Sequence, residues 1–119
     1  MPTYHKRNES SILTSILGYL QVLENSGKIV HVDRLNSGAV RTTHKSRIRL
    51  CRPGTPDCYA VLKDGSILWI EAKNEKGKLN ENQSQFRAKM IAVGHYWLLA
   101  RSVDDVMEFI VQKDFPAWK

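Results

Sequence analysis

Asp57, Glu71 and Lys73 carry chemistry by type and placement, because each bounds or interrupts an otherwise apolar run. Asp57 directly precedes the run from Cys58 to Leu62. Glu71 and Lys73 close the run that starts at Ile67, with Ala72 between them. Side chains at i and i+2 of a strand share a face, so Glu71 and Lys73 project together while Ala72 points the other way. Whether Asp57 joins them depends on the turn, Lys63-Asp64-Gly65-Ser66. A two-residue loop at Asp64-Gly65 would put Asp57 opposite Ala72, on the wrong face. A three-residue loop, Lys63-Asp64-Gly65, with glycine in the left-handed position of a G1 bulge, puts Asp57 opposite Glu71. The second register is the one predicted. Directly opposed residues have Cβ atoms about 4.5–5.5 Å apart, and two carboxylates that close repel unless a cation lies between them. Mg²⁺ suits such a place, since it prefers oxygen ligands and is held by one or two carboxylates plus substrate phosphate. Asp57, Glu71 and the backbone carbonyl of Ala72 are the predicted ligands. The metal would polarise a phosphate and acidify a water. Lys73 would position that water or stabilise the developing charge.

The elements that must position these groups follow from periodicity. Ile12, Leu13, Ile16, Leu17, Leu20 and Leu23 recur at helical spacing, which predicts an amphipathic helix from Glu9 to Asn25, ended by Gly27. Ile29 to Leu35 and Val40 to Leu50 are expected to form a hairpin around Asn36-Ser37-Gly38. Arg52-Pro53-Gly54-Thr55-Pro56 is a rigid loop. The Cys58–Leu62 and Ile67–Ala72 runs are the strongest hairpin signal in the chain. Both faces of that hairpin are apolar: Cys58, Ala60, Leu62, Leu68 and Ile70 on one, Tyr59, Val61, Ile67 and Trp69 on the other. It therefore needs cover on both sides. Leu79, Phe86, Met90 and Val93 mark a second helix that stops at Gly94. Tyr96 to Ala100 is a further strand, and Ser102 opens a third helix with Asp105 as its capping-box partner. The order predicts a mixed α/β domain, a central β-sheet flanked by helices, formed by residues 1–119 as one unit.

Gly54-Thr55-Pro56-Asp57 followed by Glu71-Ala72-Lys73 at the end of the next strand resembles the PD-(D/E)xK nuclease motif. The stretch from Lys78 to Phe86 (KLNENQSQF) and that from Gly94 through Arg101-Ser102-Val103-Asp104-Asp105-Val106 are similar to the VRR-NUC family, the virus-type replication-repair nuclease domain. The resemblance runs from about Glu9 to Ile110. It implies a restriction-endonuclease-like core and Mg²⁺- or Mn²⁺-dependent hydrolysis of phosphodiester bonds, leaving a 5′-phosphate. It assigns catalytic parts to Gln83, near the start of the second helix, and to Glu9, on the first. Small stand-alone members are similar to Holliday-junction resolvases, which implies a homodimer acting on branched, four-way DNA. Glu81 and Asn82 depart from the family, where many members carry proline and glutamate.

Plainer roles compete with each of these. Glu71 and Lys73 could form a surface ion pair, and Asp57 could cap the Pro56 turn. With Asn80 as N-cap, Gln83 falls at N3 and could complete a capping box. Glu9 is favoured by the helix dipole, but lies three and four residues before Ile12 and Leu13, on the stripe expected to be buried.

The formal net charge of +6 favours a polyanionic partner. Arg47 and Arg49 share a strand face near the Pro-rich loop. With Lys45, Arg52, Lys76 and Lys78 they are the candidate DNA contacts, beside Arg41 in the same basic run. Cys51 and Cys58 match no zinc or disulfide spacing, and the four histidines are scattered. No organic cofactor is implied. The polar start Met1-Pro2-Thr3-Tyr4-His5-Lys6-Arg7 and the absence of a long apolar run point to a cytoplasmic protein without a membrane span. Two readings stand beside a structure-selective DNA endonuclease. One is a nucleic-acid-binding module whose nuclease site has decayed. The other is a sequence-specific restriction-type nuclease, for which 119 residues leave little room.

Overall fold

The first helix, α1, spans Glu9–Asn25, the limits its apolar spacing predicts. Asn8 caps it by accepting the Ser11 N–H at 2.6 Å, and Glu9 supplies an acid in the first turn, where the helix dipole favours one. The computed structural model describes residues 8–35, 39–41, 47–49 and 51–117, with side chains throughout except at 39–41, 47–49 and 114–117. Its other elements are β1 (His31–Arg34), β2 (Ala39–Arg41), β3 (Arg47–Arg49), β4 (Cys58–Val61), β5 (Ile67–Ala72), α2 (Glu81–Ala92), β6 (Tyr96–Ala100) and α3 (Val103–Ala117). The fold is mixed α/β, as expected.

The main sheet has the order β1-β4-β5-β6. β1, β4 and β5 run antiparallel in sequence, and β6 lies parallel to β5. A parallel neighbour requires a crossover, and α2 provides it. The expected hairpin between 29–35 and 40–50 does not form. β1 pairs instead with β4, His31 facing Val61 and Arg34 facing Cys58, while β2 and β3 pair with each other in a small separate sheet. β4 offers β1 an apolar, half-buried partner, which the polar 39–49 stretch cannot. The predicted turn at Asn36-Ser37-Gly38 lies outside the described residues.

The β4–β5 turn has the predicted form. The Leu62 N–H donates to the Ser66 carbonyl at 2.8 Å, and Gly65 sits at φ +88°. That conformation costs glycine little and other residues much. Val61 consequently faces Ile67 and Cys58 faces Ile70. Lys113, near the end of α3, forms an ion pair at 2.9 Å with Asp64 of this turn and covers the Tyr96 ring.

One face of the sheet packs against α1 and α3. Ile12, Ile16 and Leu20 of α1, Val106 and Ile110 of α3, and Cys58, Ala60, Leu68 and Ile70 of the strands form a closed apolar core. The other face lies under α2, which buries none of its own residues. Its cover is aromatic: Phe86 meets Trp69 edge-on at 5.0 Å, and Trp69 contacts Tyr59 and donates its indole N–H to His95. Val93, predicted to mark the buried stripe of α2, is exposed, because the helix has ended at Ala92 and the chain turns away through Gly94. Asp105 does not close a box onto Ser102; its carboxylate accepts the Arg101 N–H at 2.8 Å, one residue further back. Among the described residues no helix is long and apolar enough to cross a membrane.

Candidate functional site

The site forms where β4 begins and β5 ends. Asp57 precedes β4 by one residue, and extending the register from Cys58 and Ile70 brings it opposite Glu71. By alternation both carboxylates continue the Tyr59 and Trp69 face, the one under α2. The Asp57 side chain is fixed by the hairpin itself: its Oδ2 accepts the Ala72 N–H at 2.8 Å. Glu71 is 5% exposed, the one charged residue buried among those described. Its Oε1 accepts the Gln83 side-chain N–H at 2.8 Å and lies 3.9 Å from Lys73 Nζ. Its Oε2 is buried with no hydrogen-bond partner among the described residues. A buried polar atom left unpaired costs about 1–3 kcal/mol, more if charged, so such an atom calls for an explanation.

Gln83 completes a capping box and also reaches Glu71. Asn80 Oδ1 accepts the Gln83 N–H at 2.9 Å, and Gln83 Oε1 accepts the Asn80 N–H at 3.0 Å, completing a capping box. With its amide oxygen committed to the cap, the amide nitrogen is left to face Glu71. The cap therefore orients the contact.

Glu9 stands at the mouth of the site but is exposed, not buried as its place on the helical stripe predicts. It belongs to the first turn, beyond the strands that cover the rest of the stripe. Its Oε1 and the Lys73 side chain both lie within about 3 Å of the space above Gly77. Lys76 and Lys78 are exposed on the same loop, and Arg52 is exposed on the loop before Asp57. The side chains of Arg41, Arg47 and Arg49, and Lys45 altogether, lie outside the described residues.

Burial is the main reason the Glu71 proton is held so tightly. Together with the Asp57 carboxylate, and against the pull of Lys73, it raises the Glu71 pKa to about 7. Burial also raises Asp57, opposed first by the Ala72 N–H; Glu9 adds to the rise, and Lys73 and Arg34 offset it. Cys58, beneath the pair, is pushed up to about 12 by burial and by the two carboxylates, so its thiol stays protonated and inert.

No model of a known protein family, no curated protein and no solved structure matches the chain.

Gly54 and Arg101, which in the sequence are only members of longer motifs, each hold the site's loops in place. Gly54, at φ +92°, lets the loop before Asp57 lie against the backbone of Asn82; a Cβ there would overlap the Asn82 carbonyl. The loop that carries Asp57 and the helix that carries Gln83 are thereby locked together. Arg101, just after β6, donates from Nη1 to the carbonyls of Asn74 and Gly77, pinning the loop that follows Lys73. A glycine ahead of Pro-Asp, and a lone arginine directly after an apolar strand, were the available signals.

The residues suit a divalent cation in chemistry. Two carboxylates share one register position, both resist ionisation without a counter-charge, and Glu71 Oε2 is buried and unpaired. Among the described residues no group of three His, Cys, Asp or Glu side chains could hold an ion; an ion at this place would have Asp57, Glu71 and backbone oxygen as its protein ligands. That ligand count fits Mg²⁺, which keeps most of its waters, better than Zn²⁺, which takes three or four side chains.

Proposed function

We propose that this chain is a Mg²⁺- or Mn²⁺-dependent DNA endonuclease with a PD-(D/E)xK-type, restriction-endonuclease-like core. The observation that carries the reading is the unpaired, buried Glu71 Oε2 beside Asp57, in a carboxylate pair set on one face by the β4–β5 register. The element order and the resemblance to VRR-NUC domains support it. Asp57, Glu71 and the Ala72 carbonyl would hold the ion, which when bound supplies the Lewis-acid chemistry for phosphodiester hydrolysis.

The chain's own residues then have definite tasks. Gln83 donates to Glu71 Oε1 and so fixes which carboxylate oxygen remains free. The Ala72 N–H does the same for Asp57 by occupying Oδ2. Lys73 Nζ places a positive charge beside the carboxylates, where negative charge grows on the phosphate during attack. Glu9, exposed at the mouth, adds negative potential that favours cation entry. Arg52, Lys76 and Lys78, with Lys45, Arg47 and Arg49, would supply the phosphate contacts that hold DNA in register.

Within this reading the substrate is branched DNA and the working unit a two-fold dimer, because cutting opposed strands of a four-way junction requires two sites related by symmetry. The deciding experiment is cleavage of labelled four-way junction, flap, duplex and single-stranded DNA with Mg²⁺, Mn²⁺ or EDTA, alongside Asp57→Ala. Metal-dependent, Asp57-dependent, symmetric nicking of the junction is expected. Tight binding without cutting of any substrate would mean a binding module on the same scaffold.

A further inference from the structure

A cleft of about 250 Å³ opens beside the carboxylates, between the loop before Asp57 and the exposed face of α2. Arg52 and Thr55 form one wall. Asn82, Gln85, Phe86 and Lys89 form the other, at spacings of three, one and three residues, which places them on a single helix face. Among the described residues none of those lining the cleft is acidic. The cleft is continuous with the site: Asn82 adjoins Gln83, whose amide holds Glu71, and Thr55 lies two residues before Asp57. The Gly54–Asn82 contact fixes the two walls against each other.

Two cations, two primary amides and one aromatic ring in a small cleft match an anion joined to a flat, polar-edged ring. We infer that the cleft receives one unpaired nucleotide of the DNA strand next to the scissile bond. Arg52 and Lys89 take its phosphate, the Phe86 ring takes the face of its base, and Asn82 and Gln85 meet the base edge. A base inside a duplex has both faces stacked on neighbours, so only a base freed from the stack can lie on Phe86. The cleft thereby selects DNA with an unpaired nucleotide beside the cutting position, and this selection rests on the nuclease reading of the adjacent carboxylates.

The test is binding of the full chain, in EDTA, to a blunt labelled duplex and to the same duplex carrying a short unpaired flap, read by fluorescence anisotropy. Wild type is expected to prefer the flapped DNA. Phe86→Leu should cut that preference about tenfold, the scale of one lost base stack, with affinity for the blunt duplex unchanged. Gln85→Ala and Lys89→Ala, at exposed positions with no part in the core, should each reduce it in the same selective way and keep the test valid if Phe86→Leu misfolds. Equal wild-type affinity for both DNAs, or equal loss on both in the variants, overturns the pocket. Cleavage is scored separately. Metal-dependent cutting of blunt and flapped DNA alike removes the pocket and leaves the nuclease standing. A flap preference that these variants abolish, without any cutting, keeps the pocket as a binding site and removes the nuclease.

Discussion

The two faces of the sheet are built to different standards. Under α1 and α3 the packing is closed: Ile16, Leu20, Leu68, Ile70 and Val106 are all fully buried. Under α2 no helix residue is buried, and contact runs through the half-buried aromatics Trp69, Phe86 and Tyr59. The candidate site lies on the second face, with the exposed cleft beside it. A face that buries a carboxylate and opens into a cleft cannot also be close-packed with aliphatic side chains, so stability is concentrated on the opposite side.

The comparison can be broken most decisively at Glu71. Glu71→Ala should reduce metal-dependent cleavage to background while DNA binding persists; parallel loss of both would mean that Glu71 serves the fold and not the reaction. Next is Ile16→Ala on the closed face, expected to cost about 2–5 kcal/mol in denaturant unfolding. Ile91→Ala, exposed on α2, should stay within about 0.5 kcal/mol. Similar costs for the two would erase the distinction between the faces.

The pH response follows from Glu71. Between its ordinary 4.5 and about 7 the folded chain keeps a proton that the unfolded chain has lost. Stability without metal therefore falls as pH rises through that window, by on the order of 3 kcal/mol. Thermal unfolding in EDTA should show a lower Tm at pH 8 than at pH 5. Mg²⁺ should raise Tm at pH 8 and do little at pH 5, and Glu71→Gln should flatten both responses. A Tm at pH 8 indifferent to Mg²⁺ and Mn²⁺ would count against the ion site. A smaller effect on the site is expected at Gln83. Gln83→Ala should weaken metal binding by roughly 10–100-fold, the range for residues that orient a ligand. Because that variant also loses half of the capping box, its thermal unfolding in EDTA, which reads the cap without the metal, is compared with its metal affinity to separate the two roles.

Local patterns were legible in the sequence, and distant pairings were not. The limits of α1 follow from its apolar spacing and from Gly27 beyond its end, while the Asn8 cap emerges only from the structure. The β4–β5 register follows from where glycine stands in the turn, and with it the meeting of Asp57 and Glu71. Gln83 has two candidate roles by position, and one hydrogen-bond set joins the cap to the carboxylate. The partner of β1 lies some way down the chain in β4, beyond the reach of any adjacent-strand rule, so local pattern points to the nearer stretch instead. Helical periodicity describes direction and not whether anything covers the helix end, which is why it does not reveal the exposure of Glu9. The contacts of Gly54 with Asn82 and of Arg101 with the 74–77 loop join segments that share no local pattern.

The β4–β5 turn has a consequence for how this chain can change. Hairpin loops are usually where insertions and deletions are best tolerated, since nothing packs on their tips. Here the residue count from Lys63 to Gly65 sets a parity. Removing one residue while the turn rebuilds its three-residue loop at the expense of Ser66 would slide one strand past the other by a single step, bringing the Asp57 position opposite Ala72 and separating the carboxylates, with the apolar runs still able to pair. Such a shortened chain would be a folded protein without its chemistry, and a lineage drifting through it would lose function before it lost structure.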